Sequence, residues 1–171
     1  MTGYVQIYTG DGKGKTTAAL GLALRAAGAG LNVFFGQFVK GQRYSEVETI
    51  VGSIPSITLR QYGRSCFIRQ APEAEDIRLA RDGLAEMATI VSAGQHDIVV
   101  FDEVNIAIHF HLFEVDDLLT IIRGRPKHVE IIITGRNADP KLIEAADLVT
   151  EMREIKHYYQ QNVAARRGIE F

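Results

Sequence analysis

The hydrophobic residues of this chain fall into short apolar runs separated by longer mixed stretches. Five such runs and a sixth candidate cover residues 4–8, 33–37, 57–62, 98–102, 129–134 and 148–152. Apolar runs without polar alternation are typical of strands that helices cover on both sides of a parallel sheet. The pattern therefore predicts six short strands.

Helical stretches lie between several of these runs. Residues 15–29 are rich in Ala and Leu and end among glycines, and residues 72–93 begin with acidic residues and are followed by a glycine. Acidic residues suit the first turn of a helix, and glycine commonly ends one. Residues 40–56 begin polar and predict a short helix near Val47, whereas residues 63–70 predict a loop.

The alternation of strands and helices predicts an α/β fold. We expect an open, mostly parallel sheet with helices on both faces and right-handed crossovers. The length of 171 residues favours one domain that spans residues 1–171. Because ligands of such folds bind at the carboxyl ends of the strands, the segments that follow the strands are the candidate functional edge.

A glycine-rich loop follows the first predicted strand and precedes the first predicted helix. Its glycines allow successive backbone amides to approach phosphate oxygens, and the following helix adds the positive end of its dipole. Lys15 supplies a cation and Thr16 supplies a hydroxyl for Mg²⁺. We predict a P-loop NTPase fold of the RecA-like type whose phosphate-binding residues are Gly10, Asp11, Gly12, Lys13, Gly14, Lys15, Thr16 and Thr17.

The loop is one residue shorter than the general pattern for phosphate loops. That pattern would have its first glycine at position 9, where this chain has Thr9, and the first glycine is Gly10. The alternative interpretation is a glycine-rich turn that binds no ligand.

Two acidic residues end the fourth predicted strand. A carboxylate at this position meets the Mg²⁺ held by a phosphate loop, and hard oxygen ligands suit that ion. Because neighbouring residues of a strand point to opposite faces, we expect only one of the two to contact the metal directly. The predicted metal ligands are Thr16, Asp102 and Glu103, and the alternative is an acidic pair that merely begins a helix.

Weaker signals lie on the same edge. Arg136 and Lys40 follow predicted strands and could bind phosphate or line the site, although surface positions are also open to them. His109 and His111 would share one face of a strand, but a metal site there lacks further ligands. Cys66 could lie near a substrate or be a partly buried thiol.

Composition and charge indicate which partners and which cellular location to expect. A net charge of −2 gives no electrostatic reason to expect nucleic acid. No run approaches the roughly 20 apolar residues that span a bilayer. No basic segment precedes the first strand, so we expect no signal peptide. With one cysteine, the chain can form no internal disulfide. We expect a cytoplasmic protein.

Taken together, the motifs resemble the ATP:corrinoid adenosyltransferases of the CobA/BtuR type, and the resemblance covers nearly the whole chain. The shortened phosphate loop is the form that this family uses. The other matching segments are residues 37–41, 99–103, 125–136, 146–151, 156–157 and 168–171.

The resemblance implies a reaction in which a corrinoid reduced to Co(I) attacks the 5′ carbon of ATP and triphosphate leaves. It implies catalytic roles for Lys15, Thr16 and Glu103, a phosphate contact for Arg136, and a corrinoid contact for Phe67 that helps displace the lower cobalt ligand. The implied substrates and cofactors are ATP, Mg²⁺ and the reduced corrinoid. A homodimer and a reduced flavoprotein electron donor are implied as well.

Two other functions remain open at this point. A P-loop kinase or ATPase would act at the γ-phosphate and release ADP. A nucleotide-gated carrier would bind the corrinoid and form no cobalt–carbon bond.

Overall fold

A six-stranded sheet organises the chain. The computed structural model describes residues 2–42, 44–65, 68 and 71–170. The strands are β1 (Val5–Thr9), β2 (Val33–Phe38), β3 (Ile57–Tyr62), β4 (Ile98–Asp102), β5 (Glu130–Thr134) and β6 (Leu148–Glu151). The α-helices are α1 (Lys15–Gly28), α2 (Ser45–Ser53), α3 (Ala74–Ala93), α4 (Val104–His109), α5 (Val115–Gly124) and α6 (Pro140–Ala145), and a 3₁₀ turn covers Tyr158–Gln161.

All pairings between neighbouring strands are parallel, and the strand order is β3-β2-β4-β5-β1-β6. The carboxyl ends of the strands therefore meet at one edge. Asp102 pairs with Gln37 across β4 and β2, and Thr134 pairs with Tyr8 across β5 and β1. This edge carries the phosphate loop and the acidic residues that the sequence singles out.

Two hydrophobic layers sandwich the sheet. On one face, the small side chains Ala19 and Ala23 of α1 are fully buried against Phe35 and Val100, which lets the helix lie close to the sheet. On the other face, α3 and α5 pack over a second cluster that includes Phe101. The expected α/β fold with helices on both faces is confirmed.

The predicted elements agree well with the observed ones. All six strands are confirmed, as are the helices expected at residues 15–29 and 72–93 and the short helix near Val47. Residues 63–65 and 68 adopt neither helix nor strand, as predicted, while the remaining residues of that predicted loop lie outside the described residues.

The prediction that His109 and His111 share one face of a strand is wrong. The strand ends at Asp102, because Glu103 adopts a left-handed φ of 59° and the chain then enters α4. His109 is the last residue of that helix, and His111 lies in a turn with a left-handed φ of 54°. The run after Glu103 is β-branched and suggests a strand locally, but α4 packs against the sheet through its buried residues.

The loop after β3 is tied to the start of α3. Arg64 donates hydrogen bonds of 2.7 and 2.9 Å to the two oxygens of Asp76, which is 4% exposed. Asp76 also accepts from the backbone N–H of Glu73, and a reciprocal side-chain bond completes a capping box. This ion pair links Arg64, two residues after β3, to the first turn of α3.

Within the described parts of the chain, none of the helices combines the length and apolar character that crossing a bilayer requires.

Candidate active site

The phosphate loop curls around the side chain of Lys15. Its Nζ donates hydrogen bonds of 2.7 Å to the carbonyl oxygens of both Gly10 and Gly12, and the residue is 7% exposed. Gly10 and Gly14 adopt φ values of 93° and 120°, which L side chains rarely tolerate. The loop thus presents a buried ammonium at the N-terminus of α1, where the helix dipole also favours an anion.

The chain that follows β6 packs directly on this loop. The Gly12 N–H donates to the Met152 carbonyl at 2.7 Å. A Cβ at Gly10 or Gly12 would lie only 2.5 or 2.7 Å from the same oxygen. These two glycines are therefore required by backbone packing as well as by any approach of phosphate.

Asp102 lies at the end of β4 and is fully buried in a network of donors. Its Oδ1 accepts from the hydroxyls of Thr16 at 2.8 Å and Thr134 at 2.7 Å. Its Oδ2 accepts from Lys40 Nζ at 2.9 Å and Gln37 Nε2 at 3.1 Å. Burial by itself would raise the pKa of Asp102, but the Lys40 charge and these hydrogen bonds outweigh it and lower the pKa.

Glu103 turns toward the cavity rather than into the sheet. Its backbone N–H donates to Thr134 Oγ1 at 2.9 Å, and its side chain is 22% exposed. Burial and the neighbouring Asp102 charge raise the pKa of Glu103. Two carboxylates with different surroundings therefore stand side by side at one strand tip.

A cavity of about 710 Å³ opens over the loop, a size typical of small-molecule sites. Its polar lining residues include Lys15, Thr16, Lys40 and Glu103. Its apolar lining residues include Leu20, Val39, Ile68, Ile106 and Phe110. This mixed lining suits a ligand that has both an anionic part and an apolar or planar part.

The C-terminal segment closes one side of this cavity. Lys13 Nζ donates to Glu170 Oε1 at 2.7 Å, to Tyr158 Oη at 2.9 Å and to the Ile169 carbonyl at 3.0 Å. Tyr158 also donates to Glu170, and the Arg166 guanidinium lies 4.8 Å from the Tyr158 ring centroid. This segment folds back over the loop.

The sequence matches one family over its full extent, the family described as ATP:corrinoid adenosyltransferase BtuR/CobO/CobP, with residues 1–171 aligned. The chain belongs to the ATP:corrinoid adenosyltransferase family. It is accordingly an enzyme that uses ATP to adenosylate a corrinoid, as expected from the resemblance.

Individual relatives agree with this assignment. The chain is 34% identical to the corrinoid adenosyltransferase of Pseudomonas aeruginosa, covering 99% of this chain and 84% of that protein. It is 31% identical to corrinoid adenosyltransferase CobA of Salmonella typhimurium, covering 99% and 86%. Among solved structures, the flagellar accessory protein FlaH of Methanocaldococcus jannaschii superposes with a TM-score of 0.62 at 15% identity, over 88% of this chain and 71% of that one. The expected RecA-like P-loop fold is confirmed.

Most of the residues predicted for the adenosyltransferase site come together. Lys15, Thr16, Thr17, Lys40, Glu103 and Arg136 all line the cavity, with Gly12, Lys13 and Gly14. Arg136 is half exposed and donates to the Asp11 carbonyl at 3.1 Å. Lys13 points largely toward the C-terminal segment. Phe67 and Cys66 lie outside the described residues.

The oxygen donors at the edge of the cavity fit Mg²⁺. Thr16 Oγ1 and an Asp102 oxygen lie 2.8 Å apart, and Glu103 is the next residue along the chain. Hydroxyl and carboxylate oxygens are the hard ligands that Mg²⁺ prefers, and it usually completes its shell with water and substrate phosphates. Among the described residues no group of three or more His, Cys, Asp or Glu is placed to hold a metal ion.

Sequence reasoning missed two members of the network. Gln37 and Thr134 are fully buried polar residues at the carboxyl ends of β2 and β5. Both bind Asp102, and Thr134 also accepts the hydrogen bond from Glu103. A polar residue that ends an otherwise apolar strand run is the signal that could have identified each of them.

Proposed function

We propose that the chain transfers the 5′-deoxyadenosyl group of ATP to the Co(I) of a reduced corrinoid, with the triphosphate held on residues 10–17. The observation that carries the proposal is the buried Lys15 ammonium, which donates to two loop carbonyls at 2.7 Å and lines a cavity that also has apolar lining residues.

Adenosyl transfer to Co(I) does not require the protein to act as a general base. The cobalt electron pair forms the bond to C5′, the C5′–O5′ bond breaks, and its electron pair remains on the α-phosphate oxygen of triphosphate. The protein's task is to stabilise that growing negative charge and to align the three atoms. Lys15, the hydroxyl of Thr16 and the guanidinium of Arg136 are the groups we assign to the leaving polyanion.

Burial strengthens the assigned role of Lys15. Desolvation lowers the pKa of Lys15, and the nearby Glu103 charge opposes that shift. A cation with few competing waters interacts more strongly with a phosphate oxygen than an exposed one does. We assign the principal leaving-group contact to this side chain.

We propose that Thr16 and Glu103, with Asp102 behind them, hold Mg²⁺ beside the triphosphate. When bound, the ion supplies additional positive charge to the phosphate oxygens. The protein's part is to orient the ligands, and the hydrogen bond from Thr16 to Asp102 supports such an orientation.

We assign corrinoid contacts to the apolar lining residues Val39, Ile68, Ile106 and Phe110. The contact expected of Phe67 remains a prediction, because that residue lies outside the described residues.

We also propose a cytoplasmic homodimer that receives electrons from a reduced flavoprotein. Edge strand β6 exposes Leu148 and Val149 by 45% and 41%, and a second copy could cover them. Light scattering of the purified protein tests the dimer.

The decisive assay is anaerobic incubation of the protein with MgATP and cob(I)alamin. We expect a light-sensitive adenosylated corrinoid and inorganic triphosphate in equal amounts. Release of ADP and phosphate would instead favour a kinase or ATPase, and corrinoid binding without a new cobalt–carbon bond would favour a carrier.

A lysine substitution tests the residue assignment. Lys15→Ala should lower the rate of transfer by about 10²–10³-fold, the usual effect of losing one preorganised group from a developing anion. Lys141→Ala is the matched control, because that lysine is 57% exposed and pairs with Asp116 on the surface. Near-normal turnover of Lys15→Ala would overturn its assigned role.

A further inference from the structure

Lys40 directs its ammonium group at the same oxygens that are assigned to the metal. It follows β2 and comes directly after Val39, whose left-handed φ of 50° is rare for a β-branched residue. Lys40 Nζ lies 2.9 Å from Asp102 Oδ2, 3.2 Å from Thr16 Oγ1 and 4.0 Å from Glu103 Oε1. Its side chain is only 14% exposed.

The hydrogen bonds of Thr16 show why the Lys40 ammonium and a metal ion would need the same position. Its hydroxyl proton is donated to Asp102 Oδ1, so the oxygen offers only lone pairs to anything else. Lys40 uses one of these lone pairs. A metal ion ligated by Thr16 Oγ1 and a neighbouring carboxylate would need the region that the ammonium fills.

The electrostatics explain why a cation is retained there. Asp102 is fully buried and Glu103 is its chain neighbour, so two carboxylates would repel each other at the strand tip. Lys40 lies within 4.0 Å of both, and it is the one cationic side chain to do so in the part of the chain that the structure describes. Its charge compensates the pair without any ion from solution.

We propose that Lys40 is a tethered cation that occupies the metal position when no divalent ion is bound, and that it competes with such an ion for the oxygens of Thr16, Asp102 and Glu103. This inference rests on the metal ligands assigned under the proposed function. A free metal ion alone then binds weakly, and the metal enters effectively only with the nucleotide, whose phosphates offer Lys40 a new partner.

Titration with Mn²⁺ alone tests the competition, with the free ion measured by its electron paramagnetic resonance signal. We expect Lys40→Met and Lys40→Gln to bind Mn²⁺ at least tenfold more tightly than the wild type. Lys40→Arg, which retains the charge, and Lys141→Met, which loses an exposed ion pair, should bind as weakly as the wild type. Lys40→Gln keeps a polar side chain and serves if Lys40→Met does not fold.

The direction of the change separates competition from a structural role. If Lys40 merely supported the structure of the site, replacing it would weaken Mn²⁺ binding. Unchanged or weaker binding by folded Lys40→Gln therefore overturns the proposal. Tighter binding that survives a second change, Asp102→Asn, overturns the assigned position. The titration needs neither ATP nor corrinoid, so its outcome is independent of whether adenosyl transfer is observed.

Discussion

We predict that replacing Gly12 by alanine weakens both the packing of the phosphate loop and the binding of ATP. In Gly12→Ala the added Cβ would lie 2.7 Å from the Met152 carbonyl oxygen and 2.9 Å from the carbonyl carbon and oxygen of Arg153. These are backbone atoms and cannot rotate away. Relief requires the loop or the chain after β6 to move, which also breaks the 2.7 Å hydrogen bond from Gly12 to Met152.

The cost follows from these two effects. Overpacking of this kind costs about 1–3 kcal/mol and loss of the hydrogen bond about 0.5–1.5 kcal/mol, so the local structure loses about 1.5–4.5 kcal/mol. At about 1.4 kcal/mol per tenfold change, the dissociation constant for ATP should rise roughly 10- to 1,600-fold if binding requires the native loop.

Calorimetric titration with MgATP and urea unfolding measure both consequences. Gly21→Ala is the matched control, because Gly21 lies in α1 with no atom within 4 Å of its added Cβ, and alanine there should stabilise the helix by up to about 1 kcal/mol. If Gly12→Ala binds ATP within about threefold of the wild type and unfolds at the same urea concentration, the packing argument is refuted.

Three further predictions concern the surroundings of the site. Gly83→Ala should lower the free energy of unfolding by about 1–2 kcal/mol despite alanine's better helix propensity, because its Cβ would lie 2.6 Å from Cδ1 of the Tyr62 ring. A higher urea midpoint than that of the wild type would contradict this. Burial would raise the pKa of Asp76, but hydrogen bonds from Arg64 outweigh it and lower the pKa. The stability advantage over Asp76→Asn should therefore be full above about pH 4 and shrink as pH falls through the lower folded pKa, whereas a pH-independent difference in urea unfolding would count against the ion pair. Glu170→Gln should speed tryptic cleavage of the C-terminal segment, because the carboxylate that Lys13 binds is lost, and an unchanged cleavage rate would exclude this anchoring.

The parts of the site that could be predicted are those formed by residues close together in the sequence. The phosphate loop is recognisable because a strand, a glycine run and a helix with Lys15 at its start follow one another in the sequence. Asp102 and Glu103 are recognisable because acids rarely end a buried strand without a partner. The partners themselves were not predictable, because Gln37 and Thr134 approach Asp102 from other strands.

Local patterns also fail where a turn breaks their periodicity. The β-branched run after Glu103 favours a strand, yet the left-handed turn at Glu103 starts α4 and moves His109 onto a helix end. No local rule requires that turn, since its hydrogen bond is made to Thr134 in another strand. Tertiary contacts decide the outcome because each local preference is small compared with the packing of a buried element.

The sequence by itself determined the alternation of strands and helices, the identity of the phosphate loop and the family. Each of these depends on periodicity or on residues close together in the chain. Only the tertiary structure decided that Lys40 faces Asp102, and that Gly12 must lie against Met152. Such contacts join residues 62 or more positions apart, and strand order and register, which bring them together, arise only when the whole sheet buries its two faces.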